Sequence, residues 1–73
     1  MKKIKFTSWN KGMNKIKFIH LLNEQTSLSL REAKDFKDKI VNGEVVEIMV
    51  NDDKVNIIIS EALKFGVNAE EVS

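Results

Sequence analysis

The apolar residues follow a two-residue period at the start of the chain. Residues 3–9 (KIKFTSW) alternate, with Ile4 and Phe6 on one side, which predicts a strand with one buried face. A loop follows, in which Gly12 predicts a turn and Asn14 is placed to cap the next helix.

A helical period takes over in residues 15–25. At about 100° per residue, one apolar arc forms there from Phe18, Ile19, Leu21 and Leu22. Ile16 falls outside this arc, beside His20 and Asn23. An apolar residue among polar ones is either a lone exposed side chain or a contact for another protein.

The segment SLSLREAKDF (residues 27–36) carries the signals of a second helix start. Ser29 and Glu32 fit a capping box, and Leu28 and Ala33 are spaced for a hydrophobic staple. Gly43 suits a left-handed helix end. The residues that we expect this helix to turn inward are Leu30, Ala33, Phe36 and Ile40.

The rest of the chain predicts strand, helix and strand. Residues 45–50 are strand-like, and the NDD segment at 51–53 is predicted to cap a third helix. Gly66 ends that helix, and residues 67–72 (VNAEEV) form a closing strand. The inward stripe of the third helix consists of Val55, Ile58, Ile59, Ala62 and Phe65.

The resulting order, β-α-α-β-α-β, predicts an α+β fold in one domain, residues 1–73. Two helices return the chain so that the second strand opposes the first, and one helix makes the third strand parallel to the second. If the first strand lies between the other two, the three-stranded sheet is fully antiparallel, with three helices on one face. A chain of this length buries only roughly 60% of its unfolded surface, so the core is small.

Charge is segregated along the sequence although the net charge is only +1. Residues 1–23 contain six lysines and no acid, whereas residues 41–73 contain two lysines and seven acids. This asymmetry indicates either an electrostatic face for a partner or an ordinary solvated surface. RNA binding through Lys3, Lys5, Trp9 and Lys11 is one interpretation. Trp9 at a strand end is also typical of a lid on the core.

Candidate chemistry is sparse, which predicts a protein that is not an enzyme. The chain has no cysteine and one histidine, His20, with Glu24 four residues later but no further ligand for a metal. Asp52 and Asp53 are accounted for by helix capping. We therefore expect no cofactor, metal or small-molecule substrate. No apolar run approaches the roughly 20 residues of a membrane span, so a cytoplasmic protein without a membrane partner is expected.

Residues 14–36 (NKIKFIHLLNEQTSLSLREAKDF) resemble the C-terminal domain of the bacterial large-subunit ribosomal stalk protein, L-seven/L-twelve. The family pattern NKVxVIKxVRxxTGLGLKEAKxLV aligns without a gap. The matches are Asn14, Lys15, Ile19, Thr26, Leu28, Leu30, Glu32, Ala33 and Lys34, with Asp35 at a position that the pattern leaves open. The predicted order of elements is similar to the family's fold.

The resemblance implies a non-catalytic domain that binds a protein partner, specifically a translational GTPase, on its first two helices. By position, the residues implied in binding are Lys15, Ile16, Lys17, His20, Asn23, Arg31 and Lys34. This gives Ile16 a role as an apolar contact within a ring of basic and polar groups.

Departures from the family bear on function. His20 replaces a usual lysine and Asn23 a usual arginine, while Ser27 and Ser29 replace two glycines, so a different helix–helix turn is expected. The family's dimerisation domain and hinge have no counterpart, which predicts a free-standing domain. The fold also resembles the S-type adaptor of the Clp protease, although the acidic pair of that family's pocket has no convincing match.

Overall fold

The helices and strands follow the predicted order. The computed structural model describes residues 1–72, and Ser73, the last residue of the predicted domain, lies outside the described residues. The elements are β1 (Lys2–Trp9), α1 (Lys15–Gln25), α2 (Leu30–Val41), β2 (Val46–Val50), a 3-10 turn (Asp52–Lys54), α3 (Val55–Lys64) and β3 (Val67–Val72). The prediction of an α+β fold is confirmed.

The three strands form one antiparallel sheet with β1 at its centre, in the order β2-β1-β3. Ile4 pairs with Ile48 of β2, and Phe6 pairs with Val46 of β2 and Ala69 of β3. The central place of β1 follows from chain direction, because only that order makes every neighbouring pair antiparallel. The predicted topology is confirmed.

The core lies between one face of the sheet and the three helices. Ile4 and Phe6 of β1 are fully buried, and the Phe6 ring meets the Phe18 ring of α1 edge-on, with centroids 5.5 Å apart. Ile40 of α2 and Ile58 of α3 are buried on the same side. Because side chains alternate along a strand, Lys3, Lys5 and Thr7 are left on the opposite, uncovered face.

Local side-chain caps fix where α1 and α2 begin. The Asn14 side chain accepts the Lys17 N–H at 3.1 Å, as predicted. At α2, the Glu32 N–H donates to Ser29 Oγ at 3.1 Å and the Ser29 N–H donates to Glu32 Oε1 at 3.0 Å, which confirms the capping box. The hydrogen bond from the Ser29 backbone, followed by that of its side chain, holds the pKa of Glu32 below its ordinary value.

Two predictions about α2 and α3 are wrong. Leu30, the first residue of α2, was expected to point inward but is 51% exposed. Asp52 and Asp53 were expected to cap the third helix, but neither α3 nor the preceding 3-10 turn has a side-chain cap. Asp52 instead lies 3.4 Å from the amino group of Met1.

The glycines differ in what their turns require. Gly43 and Gly66 have φ of 89° and 90°, as expected of left-handed helix ends. Gly12 has no positive φ, so the turn predicted there does not depend on glycine.

Candidate protein-interaction surface

The seven residues implied in binding all belong to α1 and α2, which pack beside each other. We use the name helix-pair surface for these seven: Lys15, Ile16, Lys17, His20, Asn23, Arg31 and Lys34. Six of them are exposed, and Asn23 is partly buried. The sequence therefore identified accessible side chains, but the structure separates those of α1: Ile16 borders the loop of residues 10–14, whereas Lys17 and His20 line a groove.

Ile16 is the one apolar residue among these seven. Its side chain is 70% exposed, and it borders the loop of residues 10–14 together with Lys11 and Lys15. The Lys15 ammonium lies 5.9 Å from the centroid of the Trp9 ring, and Trp9 is partly buried against the core. The interpretation of Trp9 as a lid on the core is confirmed. Its ring also makes a cation–π contact with Lys15 of the same chain.

Asn23 holds the turn between the helices. Its side-chain amide donates to the Leu28 carbonyl at 3.0 Å, while the Thr26 hydroxyl donates to the Leu22 carbonyl and accepts the Leu28 N–H at 3.1 Å. A partner contact by Asn23 would compete with this hydrogen bond. The structure gives Asn23 a contact within the chain, and the binding role that the resemblance implied for it stays a prediction.

The helix–helix turn does not need a left-handed residue at either serine. Ser29 has φ of −71°, and between residues 1 and 72 only glycines have positive φ. The turn therefore holds two serines without the positive φ that a glycine would allow, and its difference from the family's turn stays a prediction. The polar side chains of Asn23 and Thr26 stabilise the turn instead.

Lys17 and His20 line a groove on the other side of α1, facing α3. The groove has a volume of about 350 Å³, and its walls include Glu24, Glu61 and Phe65. The Lys17 ammonium lies 5.9 Å from the centroid of the Phe65 ring. His20 and Glu24 meet here as the sequence suggested, but no group of three or more metal-ligating side chains occurs in the described part of the chain.

The four cations of the helix-pair surface form no ion pair with an acid in the described part of the chain. Within residues 1–72, none of Lys15, Lys17, Arg31 and Lys34 forms a salt bridge. The nearby acid Asp38 is engaged by Lys37, whose hydrogen bond lowers the pKa of Asp38, and the charges of Lys34 and Lys15 add to this effect. Positive charge from both helices, Lys15 of α1 and Lys34 of α2, therefore lies close to Asp38.

The lysines of β1 do not form the basic face that the sequence suggested for RNA. Lys5 pairs with Glu47 of β2 on one side and with Glu70 of β3 on the other, and Lys3 lies 3.8 Å from Glu47. Charges that are separated along the sequence lie side by side in the sheet, because β2, with Glu47, and β3, with Glu70, are the two neighbours of β1. The open face of the sheet therefore has mixed charge.

Sequence reasoning missed one feature of this surface. Leu30, at the start of α2, is a second large exposed apolar side chain on the helix pair. Its position as the first helical residue, directly after the Ser29 cap, was the available signal, since side chains at a helix end often lie at the rim of a core.

Comparison with known proteins adds no relative. No protein-family model, curated protein or solved structure matches this chain. Among residues 1–72, no helix is both long and apolar enough to cross a membrane. The likeness to the stalk domain therefore depends on residues 14–36 and on the order of the elements.

Proposed function

We propose that this protein is a small, non-catalytic interaction module that binds a protein partner through Ile16 and the cations around it. A translational GTPase is the partner that the stalk-domain resemblance favours, and a cytoplasmic location belongs to the same proposal. The role is binding rather than catalysis, since the exposed groups supply an apolar contact and positive charge but no assembled acid, base and nucleophile.

The exposure of Ile16 is the observation that carries this proposal. A large aliphatic side chain that is 70% exposed contributes nothing to the core, although the other apolar residues of α1 pack inward. Removing such a side chain from water on binding is favourable by roughly 25 cal/mol per Å² of apolar area. Uncompensated cations around it favour an acidic rim on the partner and increase the rate of encounter.

The test is a binding titration with a purified translational GTPase held in its GTP state by a non-hydrolysable analogue. Ile16→Asp and Lys34→Glu should each weaken binding by about tenfold or more, since each replaces a favourable contact with an unfavourable charge. Matched controls are Leu63→Asp and Lys54→Glu, which introduce the same charges on or next to α3, outside the groove that Lys17 and His20 line. Binding that is unaffected by the first two variants would contradict the proposed surface.

RNA binding is the alternative, and it now depends on the loop cation Lys11 more than on β1. The same titration with a short single-stranded RNA tests it, because phosphate contacts release counterions and make affinity fall steeply with salt. Binding of RNA that Lys11→Glu abolishes and Ile16→Asp leaves intact would support this alternative. The adaptor interpretation is tested by the Clp ATPase as a third ligand.

A further inference from the structure

The two edges of the sheet are built differently. At the β3 edge, the adjacent acids Glu70 and Glu71 place negative charge along the strand. Charged side chains on an edge strand hinder the addition of a further strand. The β3 edge is therefore protected.

The β2 edge lacks these protections. Its five residues, Val46–Val50, pair with β1 in an unbroken register and contain no lysine and no proline. Its one charged residue is Glu47. On the open face, Met49 is 51% exposed, and Val45, just before the strand, is 53% exposed. A regular edge strand with exposed apolar side chains and little charge is a template for another strand.

We propose that a second copy of this chain pairs with this edge, β2 against β2 in antiparallel orientation, to form a continuous six-stranded sheet. Inward-facing residues must oppose inward-facing residues, because a one-residue slip would turn core side chains outward. The register centred on Ile48 satisfies this condition and pairs all five residues of each strand. Ile48 then opposes Ile48, and Val46 opposes Val50 of the second copy.

Charge supports the same register. In the register centred on Ile48, each Glu47 lies opposite Met49 of the other copy. Its carboxylate therefore keeps Lys3 and Lys5 of its own chain as neighbours. The neighbouring allowed registers, centred on Glu47 and on Met49, pair fewer strand residues. The first would also oppose the two Glu47 carboxylates directly, which is unfavourable. The strand is therefore self-complementary about Ile48.

The contact is small, so the association is weak and depends on concentration. One added pair of five-residue strands falls below the standard size of a stable interface. We expect the dimer to form at the concentrations used for NMR and to dissociate on dilution. This surface is separate from the helix-pair surface, and the two proposals stand independently.

Introducing a positive charge at Met49 in one variant and a negative charge in another tests the register directly. Met49→Lys places a lysine opposite Glu47 of the second copy, whereas Met49→Glu places an acid there. Each change occurs twice in the symmetric dimer, so we expect the dissociation constant to fall about 2- to 30-fold with lysine and to rise by a similar factor with glutamate. Sedimentation velocity over a concentration series measures both.

Val72 supplies the matched control. It flanks Lys3 from β3, just as Met49 flanks Lys3 from β2, so Val72→Lys and Val72→Glu repeat the charge contact within the chain at the protected edge. Within one chain, a glutamate at position 49 or 72 attracts Lys3 and stabilises the fold, whereas a lysine there repels Lys3 and destabilises the fold. For the Met49 variants, we therefore expect lysine to strengthen association and lower the free energy of unfolding, and glutamate to do the reverse. This difference separates the effect on association from the effect on folding.

The outcomes decide the proposal. Opposite shifts of the dimer constant for the two Met49 variants, with both Val72 variants unchanged, support pairing about Ile48. A wild-type protein that stays monomeric at millimolar concentration overturns it. Equal changes for lysine and glutamate at Met49, or the same changes at Val72, overturn it as well.

Discussion

The capping box of α2 offers the sharpest test of how local sequence stabilises this fold. Ser29→Ala removes the hydroxyl that accepts the Glu32 N–H at 3.1 Å and leaves the reciprocal hydrogen bond from the Ser29 N–H in place. The site is exposed, so water partly replaces the lost acceptor. We expect a loss of about 1 kcal/mol in the free energy of unfolding, the typical cost of removing an N-cap side chain.

That loss is large for a domain of this size. For a domain of 60 to 100 residues, 1 kcal/mol corresponds to a fall of roughly 4–8 °C in melting temperature. Urea unfolding followed by circular dichroism gives the free energy, and a thermal scan gives the temperature. The slope of the urea transition should not change, because α2 still packs through the buried Ala33 and Ile40.

Two control variants make the test specific. Ser27→Ala removes an exposed hydroxyl two residues earlier that makes no hydrogen bond within residues 1–72, so its effect should be near zero. Ser29→Thr keeps the cap oxygen and should stay close to the wild type. If Ser29→Ala lost no more stability than Ser27→Ala, the capping box would not contribute as argued.

Two further predictions concern a turn and a carboxylate. Gly66→Ala should destabilise by at least about 1–2 kcal/mol, because φ is 90° and the added Cβ would lie 3.0 Å from the Met13 Cα. Gly12→Ala, with open space around it and no positive φ, should change stability by less than about 0.5 kcal/mol. Urea unfolding compares the two, and equal losses would refute the reasoning. The Glu32 carboxyl should titrate below its ordinary range, so its contribution to stability is complete above the unfolded pKa, about 4.3, and is lost as pH falls through the lower folded value. Carbon-detected NMR titration measures this, and a normal Glu32 pKa would contradict it.

Local signals in the sequence determined the elements of this protein. Alternation at Ile4 and Phe6 predicted β1, and the Ser29 and Glu32 pair predicted the start of α2. Such signals depend on residues a few positions apart, so they favour a helix or a strand without any tertiary contact. Even the strand order followed from them, because chain direction left one fully antiparallel arrangement.

The surface could be predicted only in part. Ile16 was correctly placed outside the apolar arc of α1, since helical spacing alone decides that. Leu30 was wrongly placed inward, because spacing does not show where a helix ends relative to the layer it packs on. The hydrogen bond from the Asn23 amide to the Leu28 carbonyl was not predicted, because it depends on the path of the helix–helix turn.

Charge shows most clearly what the tertiary structure decided. The sequence by itself separated a basic first third from an acidic last part, and that separation suggested a basic face on β1. Folding brought Glu47 and Glu70 to either side of Lys5, from strands that are distant in sequence. Electrostatic interaction depends on distance in space, and only the sheet pairing sets that distance. On the helix pair, by contrast, Lys15, Lys17, Arg31 and Lys34 form no salt bridge within residues 1–72.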